Sequence, residues 1–242
     1  MSTSGSTSYN PVRDQSIKRA LRMVNAYAST DNPRPEQMAD ALETLNALLK
    51  SWQVEGFLWL KQFATLTCVA GQARYLLPGP ETVSNETGQP IPRPTRINCL
   101  TRRATATSSD LPMGENGLPV SRAEYAAQPN KAAQGLPLMA YYDPQLETGA
   151  LYLWPTPNSS QIQVRFSCDR PIQDMISDEN TFDVPQEQIR RIEYALALEL
   201  APEYALPGGD YDRLAARYKE ISAALEAYDR EPAETFVQPG RR

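Results

Sequence analysis

Histidine is absent from the 242-residue sequence, and glycine and long apolar runs are scarce. Without histidine the chain lacks the usual general base near neutral pH and the commonest metal ligand, which excludes Ser-His-Asp, Cys-His and histidine-zinc chemistry. The 12 glycines form neither GxxxxGK(S/T) nor GxGxxG, the motifs that cradle phosphates. No apolar run approaches the ~20 residues that cross a bilayer. We therefore expect no membrane span, no metal site and no cofactor.

Cysteine is also rare, with Cys68, Cys99 and Cys168 far apart in the sequence. An odd number at this spacing matches neither a disulfide framework nor a CxxC knuckle, so buried thiols in a reducing cytosol are expected. The first eleven residues, MSTSGSTSYNP, have no basic region followed by an apolar one, so we expect no secretory signal.

Positive charge is in deficit. Lys and Arg number 24 against 29 Asp and Glu, a net charge of -5. The overall balance does not supply the basic field that holds phosphate backbones, so sequence-specific recognition of nucleic acid is not expected.

Proline is abundant, and its distribution predicts the organisation of the chain. Twelve of the 21 prolines lie between Pro78 and Pro157, where fixed φ angles and missing N–H groups exclude long helices. The middle of the chain is therefore predicted to consist of strands and turns, with strands at 57–68, 74–77, 96–102, 138–142, 150–154 and 161–167. Ser121 and Glu124 have the spacing of a capping box, which predicts a short helix to about Gln128.

Each end of the chain carries two apolar stripes at helical spacing. The N-terminal stripes are Ile17, Leu21, Val24 and Ala28, then Met38, Leu42, Leu45, Leu49 and Trp52; the C-terminal stripes are Ile189, Ile192, Leu196 and Leu200, then Tyr211, Leu214, Tyr218, Ile221, Leu225 and Tyr228. Neither pair has a third layer of its own, so the sequence predicts an α+β fold: one four-helix bundle built from both chain ends, with an inserted antiparallel β domain. The predicted boundaries are 1–56, 57–177 and 178–230, followed by a C-terminal tail at 231–242.

Carboxylates are candidates for chemistry, because a glycosidase works with two of them and no histidine. One segment is crowded with acidic residues: Asp169, Asp174, Asp178, Glu179 and Asp183. A solvated acidic loop is the competing interpretation. Three tryptophans are candidates for stacking on a ligand ring, and core anchoring is the competing interpretation: Trp52, Trp59 and Trp154. Two arginine pairs are candidates for phosphate contact, and solvated positions are the competing interpretation: Arg102-Arg103 and Arg190-Arg191.

Residues 45–56, LNALLKSWQVEG, resemble the "LNxLLxxWxxxG" helix of tailed-phage head-to-tail adaptors, the tail accessory factor group of short-tailed phages. Four further stretches resemble the same group: 70–75, 93–97, 141–157 and 184–204. The resemblance is collinear from about Ile17 to Tyr228 and covers nearly the whole chain.

This resemblance implies a structural, non-enzymatic virion protein. In that group, adaptor copies, typically twelve, form a ring between the portal protein and the tail tube or nozzle, and double-stranded DNA passes through the lumen without sequence-specific binding. The implied location is the neck of the virion, after assembly in the host cytoplasm. Two alternatives stay open: a tail-associated, carboxylate-dependent peptidoglycan hydrolase, and a scaffold that binds a peptide partner.

The tail supplies the candidate partner-binding residues. Pro232 and Pro239 interrupt any helix, and no stripe continues there, so residues 231–242 are expected to be mobile in the free subunit. The residues expected to bind the portal are Phe236, Val237, Arg241 and Arg242.

Overall fold

The structure, a computed structural model, describes residues 9–28, 31–53, 58–79 and 83–228. Within these residues the chain forms five α-helices: α1 Arg13–Met23, α2 Pro35–Trp52, α3 Arg122–Ala127, α4 Gln186–Leu200 and α5 Gly208–Tyr228. A 3-10 turn at Leu58–Leu60 leads into the first strand. The tail predicted at 231–242 lies outside the described residues.

Between α2 and α4 the described residues form ten strands, with α3 between the fifth and the sixth. They are β1 Lys61–Thr67, β2 Arg74–Leu77, β3 Val83–Asn85, β4 Arg96–Arg103, β5 Leu111–Pro112, β6 Gln134–Gly135, β7 Met139–Pro144, β8 Gly149–Trp154, β9 Thr156–Pro157 and β10 Gln163–Asp169. The α+β prediction is confirmed. The six predicted strands correspond to β1, β2, β4, β7, β8 and β10, whereas β3, β5, β6 and β9 were not predicted.

The chain divides into two compact units, Met1–Leu58 with Ile172–Arg242, and Trp59–Pro171. We call the first the helical unit and the second the β unit. In the helical unit α4 contacts α1, α2 and α5, and α1 also contacts α2. This central position explains why α4 buries residues on most of its circumference, including Ile192, Ala195 and Leu196.

The first helix is shorter than its apolar stripe predicts. Ile17, Leu21 and Val24 are buried, but Ala28 is exposed and lies beyond the end of α1. The helix ends because Asn25 adopts a left-handed φ of 57°, which turns the chain away. The second helix begins at Pro35, and it buries Ala41, Leu45, Leu49 and Trp52 on one face. Residue 56, the predicted end of the first segment, lies outside the described residues.

The β unit contains two antiparallel sheets and one short parallel pair. The larger sheet has the order β3-β1-β10-β4-β5, the second has the order β2-β8-β7, and β6 pairs with β9 in parallel. Residues from both antiparallel sheets share one core, which contains Leu66, Tyr75, Leu151 and Phe166. In β10, Val164 and Phe166 are buried in this core and alternate with the less buried Gln163 and Arg165, as in a strand with one buried face.

The capping box predicted for α3 is confirmed. The Ser121 hydroxyl accepts a hydrogen bond from the Glu124 backbone N–H at 3.2 Å, and Glu124 Oε2 accepts one from the Ser121 N–H at 2.7 Å. These bonds fix a six-residue helix beside β7. None of the helices in the described part of the chain is long and apolar enough to cross a membrane.

Candidate assembly surfaces

The acidic segment between the β unit and α4 ties the helices of the helical unit together. Asn46 of α2 makes two hydrogen bonds to the backbone of Met175, at 3.0 and 3.1 Å, and Lys50 Nζ donates to the Ile172 carbonyl at 2.8 Å. On the other side, Arg13 of α1 donates to the carbonyl of Ile176 at 2.8 Å. We call residues 172–183 the strap, because they lie across α1 and α2.

The carboxylates proposed for hydrolysis have structural partners. Asp174 forms an ion pair with Lys50 at 2.5 Å, Asp178 accepts from the Ser177 hydroxyl at 3.3 Å, and Asp183 accepts from the Gln173 N–H at 3.2 Å. Glu179 is exposed and follows Asp178 directly. These interactions hold the strap in place, which favours the structural interpretation of the segment.

Asp169 lies in the β unit at the end of β10. Its carboxylate is 3% exposed and accepts hydrogen bonds from Asn98 at 2.6 Å and from Arg96 at 3.0 and 3.2 Å. All three residues lie on paired strands. A carboxylate with these partners stabilises the sheet as a hydrogen-bond acceptor.

The arginine pairs and tryptophans mostly serve internal contacts. Arg191 is 3% exposed, and its guanidinium lies over the ring of the buried Trp52 at 4.6 Å, so core anchoring is confirmed for Trp52. Arg190 lies over Tyr194 at 5.8 Å. In the β unit Arg102 donates to the Pro137 carbonyl and Arg103 pairs with Asp110. Trp154 Nε1 donates to the Asn130 carbonyl at 3.3 Å, while Trp59 is partly buried.

The buried cysteines are inert thiols. Burial raises the pKa of Cys68 and of Cys168 to about 12. A thiol with such a pKa carries almost no thiolate at neutral pH and is a poor nucleophile or metal ligand. Among the described residues no group of three or more potential ligands is placed to hold a metal ion.

One surface feature of the β unit was not predicted from the sequence. Tyr125 of α3, Tyr141 of β7 and Tyr152 of β8 form a cluster in which every pair of ring centroids is 5.6 to 5.8 Å apart. Lys131 Nζ lies 4.2 Å from the centre of the Tyr125 ring, and the Arg74 guanidinium lies 5.9 Å from that of Tyr152.

A third cation, Arg122, is carried by α3, which contacts β7. Burial and the neighbouring Asp143 carboxylate raise the pKa of Tyr141, and the positive charge of Arg122 offsets this only in part. Arg74, Arg122 and Lys131 are all exposed. We call the three tyrosines with these three cations the tyrosine face. It occupies the side of the β2-β8-β7 sheet opposite the buried Tyr75 and Leu151.

The two units differ in charge. The β unit contains ten Lys and Arg against eight Asp and Glu, a net charge of +2, whereas the helical unit contains fourteen against twenty-one, a net charge of -7. The deficit of positive charge in the whole chain therefore belongs to the helical unit. The tyrosine face lies on the unit of positive charge.

The predicted partner-binding residues Phe236, Val237, Arg241 and Arg242 lie outside the described residues. Their role stays a prediction.

In a comparison with known proteins, residues 14–242 match the SU10 adaptor protein family. The chain belongs to the SU10 adaptor protein family, and the protein is a head-to-tail adaptor of the phage virion. No curated protein matches the chain.

Family membership confirms three predictions. The resemblance to head-to-tail adaptors is correct, the protein is non-enzymatic, and its partners are the portal and the tail. The location is the virion. The peptidoglycan hydrolase is therefore not retained.

Proposed function

We propose that copies of this chain form a ring of twelve subunits between the portal protein and the tail tube or nozzle, with double-stranded DNA passing through its lumen. The observation that carries the proposal is the family match over residues 14–242. The ring is assembled in the host cytoplasm and becomes the neck of the virion. Its net negative charge suits a DNA conduit, because a basic lumen would retain DNA by counterion release.

Within each copy, both chain ends form one four-helix bundle, and the β unit is the domain inserted between the two ends in the sequence. Support comes from α4, which contacts α1, α2 and α5. Segments more than 130 residues apart in sequence therefore depend on each other. A strap that joins α1 and α2 adds to this dependence, since it immediately precedes α4.

The tail at 231–242 attaches each copy to the portal. Phe236 and Val237 supply apolar contacts, and Arg241 and Arg242 pair with acidic portal side chains. Exposed ion pairs contribute about 0 to 1 kcal/mol each, so Phe236 dominates the affinity. Repetition of this contact around the ring strengthens attachment through effective concentration.

The test is a mixture of the full-length protein with purified portal rings. We expect negative-stain images to show a ring of extra density on one end of the portal, and the mass of the complex to give the copy number. A control mixture with an unrelated acidic protein of similar size should leave the portal unchanged. Portal particles without extra density at micromolar adaptor would contradict the proposal.

A further inference from the structure

We infer that the tyrosine face binds the acidic helical unit of a second copy of this chain, an inference that rests on the proposed ring. The face combines exposed cations with tyrosine rings, and tyrosine and arginine dominate the energetics of protein interfaces. A ring requires that two different surfaces of each copy meet, because a heterologous contact generates a closed cycle. The opposite charges of the two units supply such a pair of surfaces.

The cations of the tyrosine face contact only neutral groups in the described contacts. Arg74 and Lys131 lie over tyrosine rings, Lys131 also donates to the Tyr125 carbonyl, and Arg122 is carried by α3, which contacts β7. None of these three groups forms an ion pair with a described residue. Three exposed and unpaired positive charges on an otherwise acidic protein are complementary to an acidic surface.

The best matching acidic surface lies on α2. Glu36, Asp40 and Glu43 follow one another at steps of four and three residues, on the side of α2 opposite its buried residues. All three side chains are exposed, and none forms an ion pair within the described part of the chain. By contrast, Asp210 and Glu220 of α5 already pair with Arg213 and Arg217.

The two surfaces also agree in length. Glu36 and Glu43 are seven residues apart, which is about 10 Å along a helix. Arg74 pairs in register with Tyr152, which pairs with Tyr141 of β7, the strand that α3 with Arg122 contacts. Two strand spacings separate Arg74 from Tyr141, which is also about 10 Å.

Two charge-reversal variants test the inference in the full-length chain. R74E/R122E/K131E reverses the tyrosine face, and E36K/D40K/E43K reverses α2. We expect each to weaken self-association by about tenfold or more in sedimentation velocity, because like charges then face each other. R22E/R190E/K219E in the helical unit, a matched change of three exposed cations that form no ion pair with a described residue, should associate as the wild type does.

Mixing provides the decisive measurement. Each variant carries one intact and one reversed surface, so an equimolar mixture should restore association with the two variants alternating, because intact surfaces pair with intact ones and reversed surfaces with reversed ones. A chain that carries all six substitutions should recover self-association, which also shows that the variants fold. Portal binding is measured in parallel.

Several results would overturn the inference. One is self-association at the wild-type level in either triple variant, and another is a chain with all six substitutions that does not recover self-association. A third is loss of portal or DNA binding in R74E/R122E/K131E while self-association stays intact. A wild-type chain that binds portal rings without associating with itself would overturn the inference while leaving the adaptor function in place. A chain that does neither would overturn both.

Discussion

Glu193 places a carboxylate in the core of the helical unit, where it is 2% exposed. Its Oε1 accepts from the Ser16 hydroxyl at 3.3 Å, and its Oε2 pairs with Arg19 at 3.1 Å. Burial raises the pKa of Glu193, and Arg19 and Ser16 offset this only in part. The folded state therefore binds the proton more tightly than the unfolded chain does.

The substitution Glu193→Gln should remove the pH dependence of folding stability that the raised pKa of Glu193 causes. In the wild type, the stabilisation from the raised pKa is fully present below the ordinary carboxyl value of 4.5 and is lost as pH rises through the higher folded value. We expect the variant to gain stability relative to the wild type between pH 4.5 and pH 7. Urea unfolding of both proteins at the two pH values measures this, and parallel stability profiles would contradict it.

Tyr75 anchors the turn between β1 and β2 with its hydroxyl group. The hydroxyl donates to the Gln72 carbonyl and accepts from the Val69 N–H, both at 2.9 Å. The substitution Tyr75→Phe should lower the free energy of unfolding by about 1 to 3 kcal/mol, because the partners lose their bond in a partly buried site. Chemical denaturation measures the loss, and Tyr211→Phe on the exposed side of α5 serves as the control, with a change near zero.

At the scale of elements, α2 and α4 form the contact on which the N-terminal helices depend. Leu45 is fully buried on α2, and Trp52 at the end of this helix meets Arg191 of α4. The substitution Leu45→Ala should cost about 2 to 5 kcal/mol through lost transfer energy and the cavity left behind. Leu146→Ala, at a side chain 92% exposed, is the control and should cost almost nothing. Equal melting temperatures for the two variants would contradict the prediction.

Long elements were predictable from the sequence because their patterns repeat. Apolar spacing located α2 and α4, and proline density separated the strands from the helices. The strands β3, β5, β6 and β9 have only two or three residues each, too few for alternation to show. The first stripe predicted a helix that continues to Ala28, but the observed helix is shorter because Asn25 adopts a left-handed conformation and ends it.

The tyrosine face was not predictable in the same way. Tyr125, Tyr141 and Tyr152 are 16 and 11 residues apart, so no local pattern joins them. Strand register places Tyr141 opposite Tyr152, and the capping box of α3 positions Tyr125 above them. The burial of Arg191 against Trp52 also depends on the tertiary structure, and no charge pattern in the sequence indicates it.

At the scale of the whole molecule, the helical unit needs both ends of the chain. A fragment of residues 1–178 lacks α4 and the end of the strap, so α1 and α2 lose the surfaces that bury Ile17 and Leu45. We expect this fragment to lose cooperative helical melting in circular dichroism. Retention of a cooperative helical transition would show that the N-terminal helices fold without α4 and would contradict the proposed bundle.

For the tail we expect the opposite result: its removal should leave folding intact and weaken the attachment of the adaptor to the portal. Residues 231–242 have no apolar stripe that would continue α5. Ordering these residues on the portal costs about 1 to 2 kcal/mol of backbone entropy each. Phe236 and Val237 must therefore bury apolar area on the portal to offset this cost. Deleting residues 231–242 should leave the melting temperature nearly unchanged and raise the adaptor concentration needed to saturate portal rings. Phe236→Ala should reproduce most of this loss, whereas R241A/R242A, the matched control for charge, should reproduce little of it. A truncated protein that joins portal rings at the wild-type concentration would show that attachment uses another surface of the chain.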